Sequence, residues 1–189
     1  MKSNKAEIFY ILGKSPFGVF VLLWTIHNDE PKIYRILLPN PIRMSEKIYR
    51  ALITKETEYS CPEIDDVAGQ MESFMNRGKI SFSLDLVRLD LCTEFQQKVL
   101  RAEHRIPYGH VSTYKRIAVQ LGQPTASRAV GNALANNPFP IIIPCHRAIR
   151  TDLSLGGFQG GEDMKRALLE FEGNQFNEKL KIKNPLIYY

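Results

Sequence analysis

Cys145, His146 and Arg147 stand in a row directly after the apolar run PFPIIIP of residues 138–144. A thiol with an ordinary pKa of about 8.5 is only a few per cent ionised at neutral pH, and the thiolate is the nucleophile. An imidazole and a guanidinium nearby favour that thiolate, by taking up the proton or by lending positive charge. Cys145 is therefore a candidate nucleophile for a displacement. The competing expectation is an inert core cysteine, the commoner outcome for a lone Cys after an isoleucine run. Adjacency alone forms no dyad, because neighbours on a strand point to opposite faces. The pairing needs a turn at Cys145 or a water bridge to His146. Two further features could serve the same chemistry: EDMKRALLEFEG reads as a helix that carries Glu172 at its end before Gly173, and LGGFQGG carries Gly156, Gly157, Gly160 and Gly161. Such a loop offers peptide N–H and C=O groups to the edges of a flat ligand, or is an ordinary glycine-rich connection.

The segments around these residues must position them. FPIIIP predicts a short buried strand that delivers Cys145, entered after Asn136-Asn137-Pro138 ends a helix. That helix, TASRAVGNALANN, is expected to be capped by Thr125, and STYKRIAVQLG before it by Ser112, with Gly122 as its stop. The short link Gly122-Gln123-Pro124 makes the two a helix-turn-helix pattern, which many helical domains carry without touching nucleic acid. Ala126, Ser127, Ala129, Gly131 and Ala133 are small, and Arg128 is the one long polar side chain among them. Such a surface lets a backbone approach a groove while one Arg reaches in. TEFQQKVLRAEHRI reads as a helix capped by Thr93 and stopped by Pro107 and Gly109. Towards the N terminus, AEIFYIL, GVFVLLWTI and KIYRILL alternate like three strands in hairpins, followed by helices in RMSEKIYRALI and DDVAGQMESFMNRG and a further strand in ISFSLDLV.

The 189 residues are 44% hydrophobic and 24% charged, enough for a folded core in one large or two small domains. No apolar run approaches the roughly 18 residues that span a bilayer, and the first residues lack an apolar segment followed by a small-residue cleavage site. No membrane association is expected, and the expected compartment is the cytoplasm, or the nucleus in a eukaryotic host. Three widely spaced cysteines support neither a disulfide framework nor a zinc site. The net charge of +5 lies wholly in the second half: residues 1–90 are balanced, and the 48 residues from His104 to Thr151 hold six basic side chains and no acidic one. A surface meeting phosphates needs such a stretch, although charge alone does not separate this from an ordinary basic protein.

IPYGHVSTY, SRAVGNAL, the dipeptide NP, IIIPCHR, SLGGFQGG and KRALLEFEG, in that order and spacing, resemble the O6-alkylguanine-DNA alkyltransferases, over about residues 91–173. The resemblance implies an α+β protein. Residues 1–90 would be a ribonuclease H-like α/β domain and 91–175 a mostly helical DNA-binding and alkyl-acceptor domain with a helix-turn-helix of winged-helix kind. Residues 176–189 are left as a tail without an assigned role. It implies direct reversal of DNA damage: one irreversible transfer of an alkyl group from guanine O6 in duplex DNA to Cys145 after base flipping, with O4-alkylthymine left open. His146 would help deprotonate the thiol through water, Glu172 would orient the imidazole, Tyr114 would donate to the departing base, and Asn137 would be the hinge. Arg128 would fill the gap left by the flipped base from a helix in the minor groove, with Thr113, Tyr114, Ala126, Ser127 and Ala129 also facing DNA. Pro140, Ala148, Phe158, Gln159 and Gly160 would wall the alkylguanine pocket. Phe158 stands where tyrosine is often found, and Gln159 where a smaller polar residue occurs.

The resemblance implies no cofactor, no metal, and a monomer acting on double-stranded DNA that contains O6-alkylguanine. Two other classes compete. A lesion-binding relative of this fold would lack the cysteine, and Cys145 argues against it. A Cys-His hydrolase would need an oxyanion site and would leave the DNA-facing residues without a use.

Overall fold

The alternating segments near the N terminus fold as β1 (Phe9–Ser15), β2 (Gly18–His27) and β3 (Glu30–Leu37), joined antiparallel. They belong to a mixed α/β chain whose computed structural model describes residues 7–40 and 57–189. The chain divides into two compact units, Met1–Arg88 and Leu89–Tyr189.

In the first unit a short β4 (Thr57–Glu58) pairs parallel with β1, giving the order β3-β2-β1-β4. The continuous apolar run of β2 is buried from Phe20 to Thr25, so this strand is covered on both faces there. Val21 and Leu23 pack with Leu37 on one face. Helix α1 (Pro62–Met75) starts with Pro62 in its first turn and buries Ile64, Val67, Met71, Phe74 and Met75, a stripe at helical spacing. The strand expected in ISFSLDLV does not form, and only an isolated bridge joins Val87 to Ile33. Local bonds win there: Ser83 Oγ donates to Asp85 and accepts from its N–H, and Val87 N–H closes a turn onto Leu84. The helix expected in RMSEKIYRALI lies outside the described residues.

The second unit holds the residues singled out above. Helix α2 (Glu94–His104) is capped by Thr93 Oγ1, as expected. A turn over Pro107–His110 leads to β5 (His110–Thr113), then to α3 (Tyr114–Gln120) and α4 (Ser127–Ala135). Helix α3 ends in a paired closure in which Gly122, at φ 72°, donates to Val119 O while Gln123 donates to Ala118 O. Both expected caps are displaced. Ser112 and Thr113 both pair with β6, and Thr113 also caps α3 by accepting from Arg116 N–H, while α4 has Ala126 at its N-cap position and no side-chain cap.

After α4 come a 3-10 turn (Cys145–Arg147), β6 (Ala148–Ile149) and α5 (Glu162–Phe171). Residues beyond 175 are folded into this unit. β7 (Gln175–Phe176) pairs with β8 (Ile182–Lys183), and β9 (Leu186–Ile187) joins β5 to complete the sheet β6-β5-β9. Val111, Ile149, Leu155, Leu169 and Ile182 form its core, so the last strands bury apolar area from the same residues that support the site.

Candidate active site

The segment before Cys145 is not the strand its apolar run predicts. Residues 139–144 form a folded-back loop: Ile143 N–H donates to Phe139 O, and Ile141 lies at φ 77°. A β-branched residue in that region is strained, and persists only where its surroundings over-determine it. Asn137 supplies the restraint, its Oδ1 accepting from Phe139 N–H at 2.9 Å and its Nδ2 donating to Ile143 O at 3.0 Å. The same Nδ2 lies 3.3 Å from Cys145 Sγ. Pro144, at φ −79° and ψ 59°, makes an inverse γ-turn with Cys145 N–H bonded to Ile143 O. The chain thus turns at the cysteine, which removes the strand-geometry objection to a Cys145–His146 partnership.

Cys145 is 5% exposed. Burial pushes its thiol up to about 11, against the amide donor of Asn137, which favours the thiolate. The resting group is therefore a protonated thiol. His146 is fully buried, with Nε2 2.8 Å from Glu172 Oε1. Desolvation lowers the imidazole below its ordinary value although Glu172 opposes it, so the ring is neutral at neutral pH. Burial works to raise the Glu172 carboxyl, but His146 and Arg147 outweigh it and hold it down. An ionised carboxylate only accepts, so Nε2 carries the hydrogen and Nδ1 is the basic nitrogen.

Arg147 fixes Glu172 in turn. Its Nε lies 3.0 Å from both carboxylate oxygens, its Nη2 2.8 Å from Oε1, and its Nη1 bonds Ile106 O at 2.6 Å. Gly109, at φ 80°, directs its N–H to Glu172 Oε2 at 3.3 Å, and a Cβ there would lie 3.2 Å from Glu172 O. The four residues from Pro107 to His110 and the end of α5 are in this way one assembly around the carboxylate.

Tyr114 opens α3. Burial is the main cause that raises its phenol to about 12, so it remains a hydrogen-bond donor. Gly156, at φ 75°, passes so close that a Cβ would lie 2.6 Å from the Tyr114 hydroxyl. Lys165 of α5 is fully buried and donates to Ala148 O at 2.6 Å and Gly157 O at 3.3 Å, tying the thiol turn to the glycine loop. Phe158 meets His146 edge-on, with centroids 6.1 Å apart. Pro140 and Ala148 are buried, and Gln159 is half-buried. At Gly160 a Cβ would meet Met164 Sδ at 2.2 Å.

A cavity of about 600 Å³ opens beside these groups, lined by Tyr114, Ser127, Arg128, Arg150, Gly156 and Gly157 among others. Arg128 and Ala129 are exposed, and Ala126 and Ser127 half-exposed. Two residues expected on this surface lie elsewhere: Ala133 faces the core, and Thr113 is 4% exposed with its hydroxyl engaged as the α3 cap. Among the described residues no group of three or more His, Cys, Asp or Glu side chains is gathered to hold a metal ion.

Residues 94–174 match the family model described as 6-O-methylguanine DNA methyltransferase, DNA binding domain. The constitutive methylated-DNA–protein-cysteine methyltransferase of Bacillus subtilis is 31% identical over 172 residues, 90% of this chain and 99% of that protein. The chain belongs to the methylated-DNA–protein-cysteine methyltransferase family. Its relative of that name in Methanothermobacter thermautotrophicus is 39% identical over 110 residues, 58% of this chain but only 61% of that protein. The crystal structure of Mycobacterium tuberculosis OGT in complex with DNA superposes with a TM-score of 0.68 at 33% identity, covering 87% of this chain and 93% of that one.

Sequence reasoning did not single out Arg147 as the Glu172 anchor, nor Lys165 or Glu103. A signal existed for the last two. Lys165 falls on the buried stripe Met164, Leu168, Leu169, and Glu103 on the stripe Val99, Leu100, Ala102, positions where a charged residue has no ordinary reason to be.

Proposed function

We propose that the protein repairs DNA by direct reversal, accepting the alkyl group of O6-alkylguanine onto Cys145 once and irreversibly. The observation that carries this is the Cys145 thiol, given a donor by Asn137 at 3.3 Å and followed immediately by the buried His146–Glu172 couple. In the transfer, Cys145 Sγ forms a bond to the alkyl carbon as the bond from that carbon to guanine O6 breaks, with the electron pair left on the base. The thiol proton passes towards His146 Nδ1 through water, and the resulting imidazolium is stabilised by Glu172. Tyr114 donates to the base as charge gathers there; once the base has taken up a proton equivalent to the one lost by the thiol, with His146 returned to its neutral form, the net result is an S-alkylcysteine and an ordinary guanine.

The α3–α4 pair is read as a helix-turn-helix whose second helix enters the minor groove, with Arg128 filling the space left by the extruded base. The cavity between α4 and the glycine loop suits such a base, and Arg128 and Arg150 at its lining suit the phosphates beside it. The order β3-β2-β1-β4, with only β4 parallel, supports a ribonuclease H-like reading of the first unit. The protein is taken to work as a monomer on duplex DNA in the cytoplasm. No helix among the described residues is long and apolar enough to cross a membrane.

Intact mass after incubation with duplex DNA containing O6-methylguanine tests the reading. One methyl group per molecule, mapped to Cys145 and absent in Cys145→Ala, is expected. Methylation that continues beyond stoichiometry, or transfer undiminished in the variant, refutes it.

A further inference from the structure

Glu103 is the least explained side chain of the second unit. It is fully buried, and both carboxylate oxygens are without a hydrogen-bond partner among the described residues. It sits on the inner stripe of α2, the helix that packs against the 3-10 turn bearing Cys145. The charged and titratable groups that interact with it come from several elements: Lys165 of α5, Arg147 and Cys145 of the turn, Tyr114 at the start of α3, and Tyr189 beyond β9. Tyr189 bonds Ala102 O at 2.9 Å, next to Glu103 in the helix. A carboxyl placed so is not a salt-bridge partner, and evolution of a stable core alone would favour an apolar residue there.

We propose that Glu103 is a positioning residue for alkyl transfer, which holds a proton beneath the thiol turn and, on losing it, opposes formation of the Cys145 thiolate. The inference rests on the alkyl-transfer reading above. Burial drives the Glu103 carboxyl up to about 8, with Lys165 and Arg147 pulling the other way. Burial also brings Lys165 down to about 8. At neutral pH the pair therefore reads as a neutral acid and an ammonium, a net positive charge beside the thiol. As pH rises through about 8 both lose protons, as a coupled pair, and the thiol then faces an anion instead. The ionised form of Glu103 raises both the Cys145 thiol and the Tyr114 phenol. With His146 taking up the thiol proton, the rate should be level with pH at first and fall as pH rises through about 8 and Glu103 ionises.

The test is the single-turnover rate of methyl transfer from saturating duplex DNA with O6-methylguanine, measured from about pH 6.5 to about pH 9.5 for the wild type, Glu103→Gln and Glu103→Leu. Dividing each variant's rate by the wild-type rate at the same pH cancels any titration of the substrate. The ratio is expected near its low-pH value up to pH 7 and about tenfold higher at the alkaline end, the effect of one buried charge acting on the thiol. A ratio that stays constant across the range overturns the inference, whether it stays at one or below one, as a merely structural role or a folding defect would give. A wild-type protein that transfers nothing at any pH overturns the alkyl-transfer reading together with it.

Discussion

Replacing Glu172 by Gln tests the assembly around the thiol most directly, since the shape is kept and the charge is lost. Glu172 accepts from His146 Nε2, from Arg147 Nε and Nη2, and from Gly109 N–H. An amide has one accepting oxygen, and its NH2 would be turned against a donor of Arg147 or His146. Arg147 would then be a buried cation with one carbonyl, Ile106 O, as its remaining strong partner. Breaking a buried ion pair from one side costs about 3–5 kcal/mol, of which a retained amide hydrogen bond recovers about 1. A loss of about 2–4 kcal/mol is expected in urea unfolding at pH 7. For a unit of this size that is of the order of 10–25 °C in Tm. The sign with pH is fixed by the depressed carboxyl. The Glu172 contribution is complete above the ordinary carboxylate value of 4.5 and disappears as pH falls through the lower folded value, so wild type and variant should converge in acid. Methyl transfer should slow by about a hundredfold or more, because the tautomer that leaves Nδ1 basic is no longer enforced. A stability change under about 1 kcal/mol, or a gap that widens in acid, would refute this account of the site.

Three further outcomes follow from the same geometry. Glu103→Leu should stabilise the protein by roughly 3–5 kcal/mol at pH 8, because the native carboxyl keeps a proton that the unfolded chain has lost. Its raised folded value makes wild-type stability fall as pH rises from 4.5 towards about 8, and Glu103→Leu should lack that slope in parallel urea titrations. Gly156→Ala forces a side chain into φ 75° and onto the Tyr114 hydroxyl. It should cost about 1–2 kcal/mol in stability but slow transfer more than tenfold, and an unchanged transfer rate would show that Tyr114 does not touch the reacting base. Arg128→Ala should slow transfer from duplex DNA by about tenfold or more while reaction with free O6-benzylguanine, followed by mass, is unchanged; equal losses on both substrates would make Arg128 structural.

Periodicity made much of the fold legible. The three hairpin strands and helices α1, α2 and α5 follow from alternation, from 3.6-residue spacing and from caps such as Thr93, all of which act within a few residues. Local rules failed where a neighbour in sequence competed with one in space. Thr113 rather than Ser112 caps α3 because pairing with β6 holds the chain extended through Thr113, so the helix starts at Tyr114 and the Thr113 hydroxyl is the one that reaches Arg116 N–H. Residues 80–87 turn back through Ser83 and Asp85 instead of extending. The apolar run 139–144, which reads as a strand, is bent by bonds from Asn137, a polar side chain that periodicity ignores.

The amino-acid sequence by itself determined the chemistry available. It set a thiol beside an imidazole, put a carboxylate at the end of the last long helix, and kept acids out of the stretch from His104 to Thr151, because these are properties of residue type and order. Only the tertiary structure decided how that chemistry is switched on. Whether Cys145 is a thiol or a thiolate, and His146 neutral or charged, depends on burial and on Asn137, Arg147, Lys165 and Glu103, which arrive from α2, α5, the turn after α4 and the thiol turn itself. Desolvation and Coulomb interaction act through space, and the groups that exert them are up to 42 residues from the cysteine along the chain.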